Sequence, residues 1–422
     1  MMFFIALTFV FTTFSGGAPA DSITLDYCYQ QAYENYPKVQ NIEFQKKITE
    51  LNIQIANTGH YPDVSINGRA SYQSEVTDFS LPGGGGPPAI SKDQYQASVD
   101  VTQTIFNGGA VGIQKELEKA KGKQEIYSTE VELHQIRSQI DQVYFGILLS
   151  QQQSKTIGLL IANLEEQLST VRSKVDNGVL LASQQHILEA ELIKARQDSV
   201  NSHSNVVAGY RVLGELIGEK VATGTKLQLP QQNIDHQSLQ PHRSEYDLFE
   251  STEETIEQQK RLAGSQKWPS LSAFGTAAYG RPGLNFLNDD FHEYYTVGLK
   301  VRWNFWASYN AGEKQQMLQL RQQQVEQNRR SFTRQLHASL NRIQERMRAI
   351  EENIERDKKA IALRKKIVEE NVSQLNNGAI TASQYVTELN RAHQARLSLY
   401  INRVRLAQAQ SDYLTTLGVP IQ

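Results

Sequence analysis

Four short segments of the chain alternate apolar and polar residues. They cover residues 63–76, 95–102, 271–279 and 295–304. A period of two places apolar side chains on one face of a β-strand and polar side chains on the other. Phe274 weakens the third segment, because it falls on the polar face. The first segment has 14 residues, whereas a tilted membrane strand needs about 9–11. The pattern therefore favours membrane strands over a soluble sheet packed on a core.

Long stretches between these segments have the pattern of coiled-coil helices. No proline occurs in 110–229 or in 283–419. Apolar residues there recur in steps of three and four, which is the a/d seam of a coiled coil. The clearest runs are Leu133, Ile136, Ile140, Val143, Ile147 and Leu336, Leu340, Ile343, Met347, Ile350, Ile354. The seams stop at Asn177-Gly178 and Asn377-Gly378, and both residue types tolerate the left-handed backbone that ends a helix. We therefore predict a hairpin turn at each position.

The predicted helices are too long for an ordinary globular domain. A helix over 110–176 would measure about 100 Å, and a returning helix over 181–217 about 55 Å. A helix over 38–58, before the first strand, would add about 30 Å. Two short helices placed end to end approach the length of the long one. The sequence therefore predicts a tall wall of helices.

The second half of the chain repeats the first. Asn177-Gly178 recurs 200 residues later as Asn377-Gly378, and the pattern of 95–106 recurs in 295–306. Before the second strand of each half the offset is 207 residues, as in Tyr61-Pro62 and Trp268-Pro269. The difference falls in a loop, where insertions are tolerated. We predict an internally duplicated fold, with a first repeat in 21–218, a connector in 219–242 and a second repeat in 243–422.

The N-terminus indicates export. Residues 3–14 form a short apolar run, and Ala18-Pro19-Ala20 resembles a signal-peptidase site, so residues 1–20 are predicted to be a signal peptide. Its basic start is missing, since the first Lys or Arg is Lys38. The single cysteine, Cys28, follows Asp26 and Tyr27 and lacks the small residues of a lipoprotein signal. We expect an ordinary buried cysteine.

Composition argues against several function classes. With 43 basic and 45 acidic residues, the chain has no charge excess that would attract nucleic acid. The glycine-rich stretch 83–88 lacks the Gly-Lys-Ser/Thr of a phosphate-binding loop and is interpreted as a flexible loop. No His-Glu-x-x-His, paired cysteines or Gly-x-Ser-x-Gly occurs. We therefore expect no catalytic residue, no metal site and no cofactor.

Four strands cannot close a barrel, and an open sheet edge in a membrane leaves backbone groups unpaired at a cost of several kcal/mol each. The chain is therefore expected to oligomerise. Three chains would supply 12 strands, enough for a barrel with an open lumen.

The chain resembles the TolC family of outer-membrane efflux proteins over nearly all of its mature length. The resemblance rests on the duplicated order of helices and strands and on the proline that opens each first strand, Pro62 and Pro269. It rests also on the strand exit Phe106-Asn107-Gly108-Gly109, with Trp306-Ala307-Ser308 as a looser copy, and on the glycines of the hairpin tips. It implies an α+β membrane protein: a homotrimer with a 12-stranded β-barrel in the outer membrane of a Gram-negative bacterium, continued in the periplasm by a long α-helical coiled-coil tunnel.

The same resemblance implies partners and site residues. The tips would bind a periplasmic adaptor protein that links the channel to an inner-membrane transporter, in efflux or type I secretion, while the barrel would contact outer-membrane lipid. The candidate adaptor-binding residues are Asn177, Gly178, Val179, Leu180, Asn377, Gly378, Ala379 and Ile380. Some relatives narrow the pore with acidic residues just past the second tip. The matching positions here are Gln384 and Thr387, neither of them acidic, with Glu388 close by.

A second hypothesis is a periplasmic coiled-coil structural or adaptor protein. The helical seams alone would favour it. Such a protein would not need four alternating strands of membrane length, so these strands and the export signal favour the channel.

Overall fold

The computed structural model of the protein describes residues 22–76, 90–230, 241–285 and 288–419. The predicted signal peptide, the glycine-rich loop at 83–88 and most of the connector's second half lie outside these ranges. Among the described residues, no helix combines the length and the apolar character needed to cross a membrane.

Helices form most of the described chain, and six strands accompany them. In chain order the elements are β1 (Ser22–Ile23), α1 (Leu25–Asn35), α2 (Pro37–Asn57), a 3-10 turn (Thr58–His60), β2 (Asp63–Tyr72), β3 (Asp93–Phe106), α3 (Ala110–Asp176), α4 (Ala182–Ile217), β4 (Lys226–Leu227), α5 (Ser244–Ser265), β5 (Ser270–Arg281), β6 (His292–Arg302), α6 (Phe305–Asn376) and α7 (Ala382–Leu417). The predicted strands and long helices are all present, with bounds shifted by a few residues.

Local sequence signals explain several helix ends. The Thr24 side chain caps α1 by accepting a hydrogen bond from Tyr27 N. Helix α1 stops before Pro37, because the residue preceding a proline is disfavoured in helical backbone. Pro37 then opens α2, at the position where its missing N–H costs no helix hydrogen bond.

The two long helices begin differently. Asn107 caps α3 by accepting from Ala110 N at 3.1 Å, after Gly108 and Gly109 have taken left-handed backbone. Asn304 caps α6 by accepting from Ala307 N at 3.1 Å. Helix α6 thus begins at Phe305, and Trp306 lies inside the helix instead of at the strand exit that the sequence comparison suggested. Without glycines, the chain enters the helix at once.

The chain divides into two compact units, each built from separate stretches of sequence. The first comprises residues up to Val39, Glu132–Arg243 and Leu336 onward, and the second comprises Gln40–Val131 and Ser244–Gln335. In the first unit, β1 pairs in parallel with β4. The buried Tyr144 hydroxyl donates to the carbonyl of Ile23 in β1 and to that of Gln228, the residue after β4. Cys28 is fully buried in the same unit, as expected from the sequence.

The second unit contains one four-stranded antiparallel sheet in the order β2-β3-β5-β6. Strands β2 and β6 are its edges. The helices beside the sheet lie in the order α2-α3-α5-α6, which is the order of the strands to which they connect. A Cβ on Gly122 of α3 would lie 2.2 Å from Thr49 Oγ1 of α2. Lys123 of α3 pairs with Glu254 of α5 at 3.2 Å. Leu318 of α6 packs on Ile256 and Ala263 of α5.

Candidate functional site

Both hairpin tips lie in the first unit and end their long helices in the same way. At the first tip, Gly178 has φ 71° and donates to Val175 O at 2.9 Å, while Val179 N donates to Lys174 O at 2.7 Å. At the second tip, Gly378 also has φ 71°, and the backbone there makes the same two hydrogen bonds. This is the Schellman motif, in which a left-handed residue satisfies the last carbonyls of a helix. Asn177 and Asn377 are the residues just before these glycines.

A hydrophobic cluster holds the two tips together, and we call it the tip cluster. Its buried members are Leu164, Val171, Leu188, Leu192, Ala195, Leu375, Ala382, Tyr385, Val386 and Leu389. Leu180 and Ile380, two of the predicted adaptor-binding residues, pack against it half-buried. Val179 and Ala379 remain exposed. The eight predicted tip residues therefore divide into an exposed set and a pair that anchors the turns.

Polar contacts support the second tip from the first. Lys174 Nζ donates to Asn376 O at 2.6 Å, and Gln167 Nε2 donates to Asn376 Oδ1 at 3.3 Å. Gln184 Oε1 accepts from Ala382 N at 2.6 Å. The first hairpin thus satisfies backbone groups at both ends of the second turn, which a sequence pattern could not reveal because the partners are about 200 residues apart.

The return helices begin differently at the two tips. Thr381 caps α7 in a full capping box with Gln384, in which each side chain bonds the other residue's backbone N–H. At the corresponding position of α4 stands Leu181, which makes no side-chain cap and is 72% exposed. An exposed leucine is unfavourable at an N-cap. Sequence reasoning missed Leu181, although the contrast with Thr381 was available in the repeat.

The candidate constriction residues have different roles. Gln384 and Thr387 are both exposed: Gln384 is engaged in the capping box, and Thr387 donates to Ser383 O at 2.8 Å. Glu388 bridges two helices: it accepts from Arg364 of α6 at 2.6 Å and from Arg391 of α7 at 2.5 Å. Its negative charge therefore faces two guanidinium groups.

A buried histidine lies beside the tip cluster. His393 is 7% exposed, and its Nε2 lies 3.4 Å from Asn163 Nδ2. Its Nδ1 has no hydrogen-bond partner among the described residues. Burial, aided by the positive charge of Arg396, lowers the pKa of His393 to about 4. The side chain is therefore neutral at physiological pH, because burial without an opposite charge disfavours the protonated imidazole.

The sheet has one polar face that is organised around Asp100. Its carboxylate accepts hydrogen bonds from Asn67, Ser98 and Thr276 at 2.7, 2.9 and 2.5 Å, and so ties β2, β3 and β5 together. Phe274 also lies on this face, where a Cβ on Gly298 of β6 would meet its ring at 2.9 Å. The aromatic ring covers a cross-strand glycine, which explains how the weakest alternating segment forms a regular strand.

The opposite face is apolar and remains uncovered in the chain. The exposed side chains on it include Val64, Ile66, Val99, Val101, Tyr279, Tyr295, Val297, Leu299 and Val301. A contiguous apolar surface of this kind marks a site for another protein or a membrane. Around the ends of β5 and β6 nearest the helices, Trp268, Trp303 and Trp306 are exposed as well, and aromatic residues favour membrane interfaces.

Comparisons with known proteins agree with these features. A protein-family model described as outer membrane efflux protein matches residues 28–219. A search of curated protein sequences found no match.

Solved structures share the fold. The outer membrane protein VceC from Vibrio cholerae is 12% identical, with a TM-score of 0.73, and the match covers 94% of this chain and 97% of that one. The CmeC outer membrane channel of Campylobacter jejuni is 12% identical, with a TM-score of 0.73 over 93% and 85% of the two chains. The MtrE outer membrane channel of Neisseria gonorrhoeae is 14% identical, with a TM-score of 0.69 over 93% and 88%.

At these identities the structural neighbours establish the fold, and the family match supplies the class. The resemblance and the localisation predicted from the sequence are confirmed. Residues 28–219 match the outer membrane efflux protein family, and the fold is that of outer membrane channels, which supports a location in the outer membrane with the helices in the periplasm.

Proposed function

We propose that three copies of the chain form one export channel, with a 12-stranded barrel in the outer membrane and a coiled-coil tunnel in the periplasm. The open four-stranded sheet carries this proposal, because β2 and β6 have unpaired edges and one face is apolar. In a membrane each unpaired backbone group costs several kcal/mol. Pairing β6 of one copy with β2 of the next removes every edge once the ring closes.

We propose further that the chain is internally duplicated, which fits the same assembly. Each half contains a helix, two antiparallel strands, a long helix and a 36-residue return helix. Both halves use the same glycine turn at the tip. A ring of three duplicated chains would contain six similar units, and its tunnel wall would be nearly uniform.

We further propose that the tips bind a periplasmic adaptor, which joins the channel to an inner-membrane transporter in a tripartite efflux or type I secretion system. Two exposed apolar side chains support this, Val179 and Leu181, since neither is used by the fold around the tip. The glycines beside them leave backbone accessible to a partner. Asn177, Gly178, Asn377, Gly378 and Ala379 complete the exposed part of this surface.

The adaptor proposal can be tested without disturbing the fold. Val179→Asp together with Ala379→Asp should abolish cross-linking to the adaptor and export, because a charge in a desolvated interface is penalised. Trimer abundance and melting temperature should stay close to those of the unaltered protein, since both positions are exposed. Ile380→Asp is the matched control: it lies against the tip cluster and should lower stability. Retained cross-linking in the double variant would contradict the proposal.

We also propose that residues 384–388 lie at the narrow end of the pore. The support is their position just past the second tip. Gln384 and Thr387 are exposed, and Thr387 is the one of these two that is not engaged in the capping box. Since the charge of Glu388 is matched by Arg364 and Arg391, it would contribute little to ion selectivity. In planar bilayers, Thr387→Asp should raise cation selectivity. An unchanged reversal potential would remove Thr387 from the pore lining.

A further inference from the structure

The polar face of the sheet carries opposite charge in its two strand pairs, β2 with β3 and β5 with β6. On β2 and β3 the charged residues of this face are Asp63, Arg69 and Asp100. On β5 and β6, both of which the structure describes in full, they are Lys300 and Arg302, and no acid accompanies them. The second strand pair therefore adds a net positive charge to the face.

The contrast is sharpest between Asp100 and Lys300, which lie 200 residues apart in the chain. The Asp100 carboxylate accepts hydrogen bonds from Asn67 Nδ2 at 2.7 Å and from Ser98 Oγ at 2.9 Å. At the offset of 207 residues, Asn67 is replaced by Phe274. The first strand pair thus surrounds its acid with polar partners, whereas the second places its cation near an aromatic ring.

Phe274 forms an apolar platform beside this cation. It lies opposite Gly298, and its ring extends over that glycine, where a Cβ would approach the ring to 2.9 Å. Lys300 is a diagonal neighbour of Phe274, and such neighbours lie about 7–8 Å apart, within reach of long side chains. We call Phe274, Gly298, Lys300 and Arg302 the cationic patch.

The two cations of the patch have no acidic partner among the described residues. Both Lys300 and Arg302 are exposed. Asp100 lies two strands from Lys300 and four residues further along, about 10 Å across the sheet and about 13 Å along it. Asp63 lies three strands away, about 14 Å across. Both distances exceed the Debye length of about 8 Å at physiological ionic strength, so the patch keeps a local positive potential.

We propose that the cationic patch binds organic anions, with a carboxylate, sulfonate or phosphate group at Lys300 and Arg302 and an apolar part against Phe274. Lysine and arginine side chains select anions in pores, and an aromatic ring offers a large apolar contact surface. This inference rests on the proposed channel, in which three copies would place three patches in the lumen, and it names a class of cargo. The patch lies where β6 leads into α6, at the end of the barrel nearest the helices.

Charged thiol reagents measure the local potential. Ser272 lies opposite Lys300, and Ser65, its counterpart 207 residues earlier, lies opposite Asp100. Trimers of Ser272→Cys and of Ser65→Cys are treated with an anionic or a cationic methanethiosulfonate, and each rate is divided by that of free mercaptoethanol. The ratio of anionic to cationic rates should be about threefold to tenfold higher at Ser272→Cys. The native Cys28 is buried and should not react.

Charge variants assign this potential to the patch. In the Ser272→Cys background, Lys300→Gln should remove most of the difference, and Arg302→Gln should remove part of it. Asp100→Asn in the Ser65→Cys background is the matched control and should raise the ratio there. High salt should reduce every difference, because it screens exposed charges.

Protection by model anions tests binding. Naphthalenesulfonate and methanesulfonate have the same charge, but only the first has an aromatic part. With neutral methyl methanethiosulfonate as the reagent, naphthalenesulfonate at millimolar concentration should slow modification of Ser272→Cys about twofold or more, and methanesulfonate should slow it less. Phe274→Asn should remove the difference between the two anions. Ser65→Cys should show no protection by either.

Other results contradict separate parts of the proposal. Equal reagent ratios at Ser272→Cys and Ser65→Cys in a trimer would overturn the positive potential, and equal or absent protection would overturn the binding of anions. Failure of both cysteines to react would overturn the placement of this face in the lumen. A monomer by native mass, measured before labelling, would overturn the proposed function itself. If Ser272→Cys prevents assembly, Ser270→Cys, opposite Arg302, takes its place with the same expected ratio.

Discussion

The two hairpin tips have the same turn but differ in how they are stabilised. At the second tip, Thr381 and Gln384 cap the return helix, and Gln184 from the first hairpin adds a further bond. At the first tip, Leu181 occupies the N-cap without a side-chain bond and is exposed. The return helix of the second tip is therefore stabilised by a side-chain cap, whereas that of the first tip has no such cap and exposes an apolar side chain. If the tips bind an adaptor as proposed, this difference predicts that the first tip contributes more to the binding.

The largest expected effect is a loss of stability on substitution of Leu188. We compare it with substitution of Glu388, the residue 200 positions later. Leu188 is fully buried in the tip cluster, and Leu188→Ala should destabilise the protein by about 2–5 kcal/mol through lost burial and the cavity left behind. Glu388→Gln removes ion pairs to arginines that are partly exposed and should cost about 1 kcal/mol or less. Chemical denaturation of the detergent-solubilised protein measures both. Equal losses would show that the two hairpins are supported alike.

The next largest effect is on the pH dependence of stability and comes from His393. Its counterpart in the first hairpin is the exposed Ile193. Because the pKa of His393 is about 4 in the folded chain against an ordinary value of 6.5, the unfolded chain binds the proton more readily. Its contribution to stability is therefore present above pH 6.5 and is lost as the pH falls from 6.5 towards 4. In thermal melts at a series of pH values, His393→Ile should reduce the loss of stability between pH 6.5 and pH 4. An unchanged slope would contradict the assignment.

A smaller pair of effects tests the helix caps directly. Thr381→Ala should cost about 0.5–2 kcal/mol, because it leaves an N-terminal backbone N–H of α7 without its partner. Leu181→Asp should instead stabilise α4 by about 1 kcal/mol, since it supplies a missing cap. The same change should weaken adaptor cross-linking. If Leu181→Asp left cross-linking intact, the first tip would lose its proposed role in binding.

The smallest expected effect comes from Gln184, the residue that connects the tips. Gln184→Ala leaves Ala382 N without its 2.6 Å partner and should cost about 1 kcal/mol. Gln384→Ala, the equivalent change in the second hairpin, should remove only half of the capping box. A thermal melt of each variant compares them. A larger loss for Gln384→Ala would show that the second tip is stabilised mainly from within its own hairpin.

Much of this fold could be predicted from the sequence, because the signals are periodic and local. The a/d seams located the bodies of α3 and α6, the returning helix predicted over 181–217 matches α4, and Asn-Gly located both turns. The start of α6 could not be placed, since Asn304 caps it one turn earlier than the copy of Phe106-Asn107-Gly108-Gly109 suggested. First-strand length was also overestimated, because alternation continues past Tyr72, where pairing with β3 ends.

The candidate site was predicted less completely, for a physical reason. Glycine turns are encoded within a few residues, so Gly178 and Gly378 were found. Leu180 and Ile380 pack into the tip cluster, and Gln184 reaches Ala382. These contacts join residues that are far apart in the chain, and no periodicity encodes them. Exposure of Leu181 became meaningful only when both tips could be compared in three dimensions.

The oligomeric state tests the central claim most directly, because the proposed channel requires a second copy to cover the open edges of the sheet. The measurement is the native mass of the protein extracted from outer membranes in mild detergent, with the bound detergent subtracted. The account predicts about three times the mass of one chain, from 3 × 4 = 12 strands closing a barrel. A particle with the mass of a single chain would contradict it.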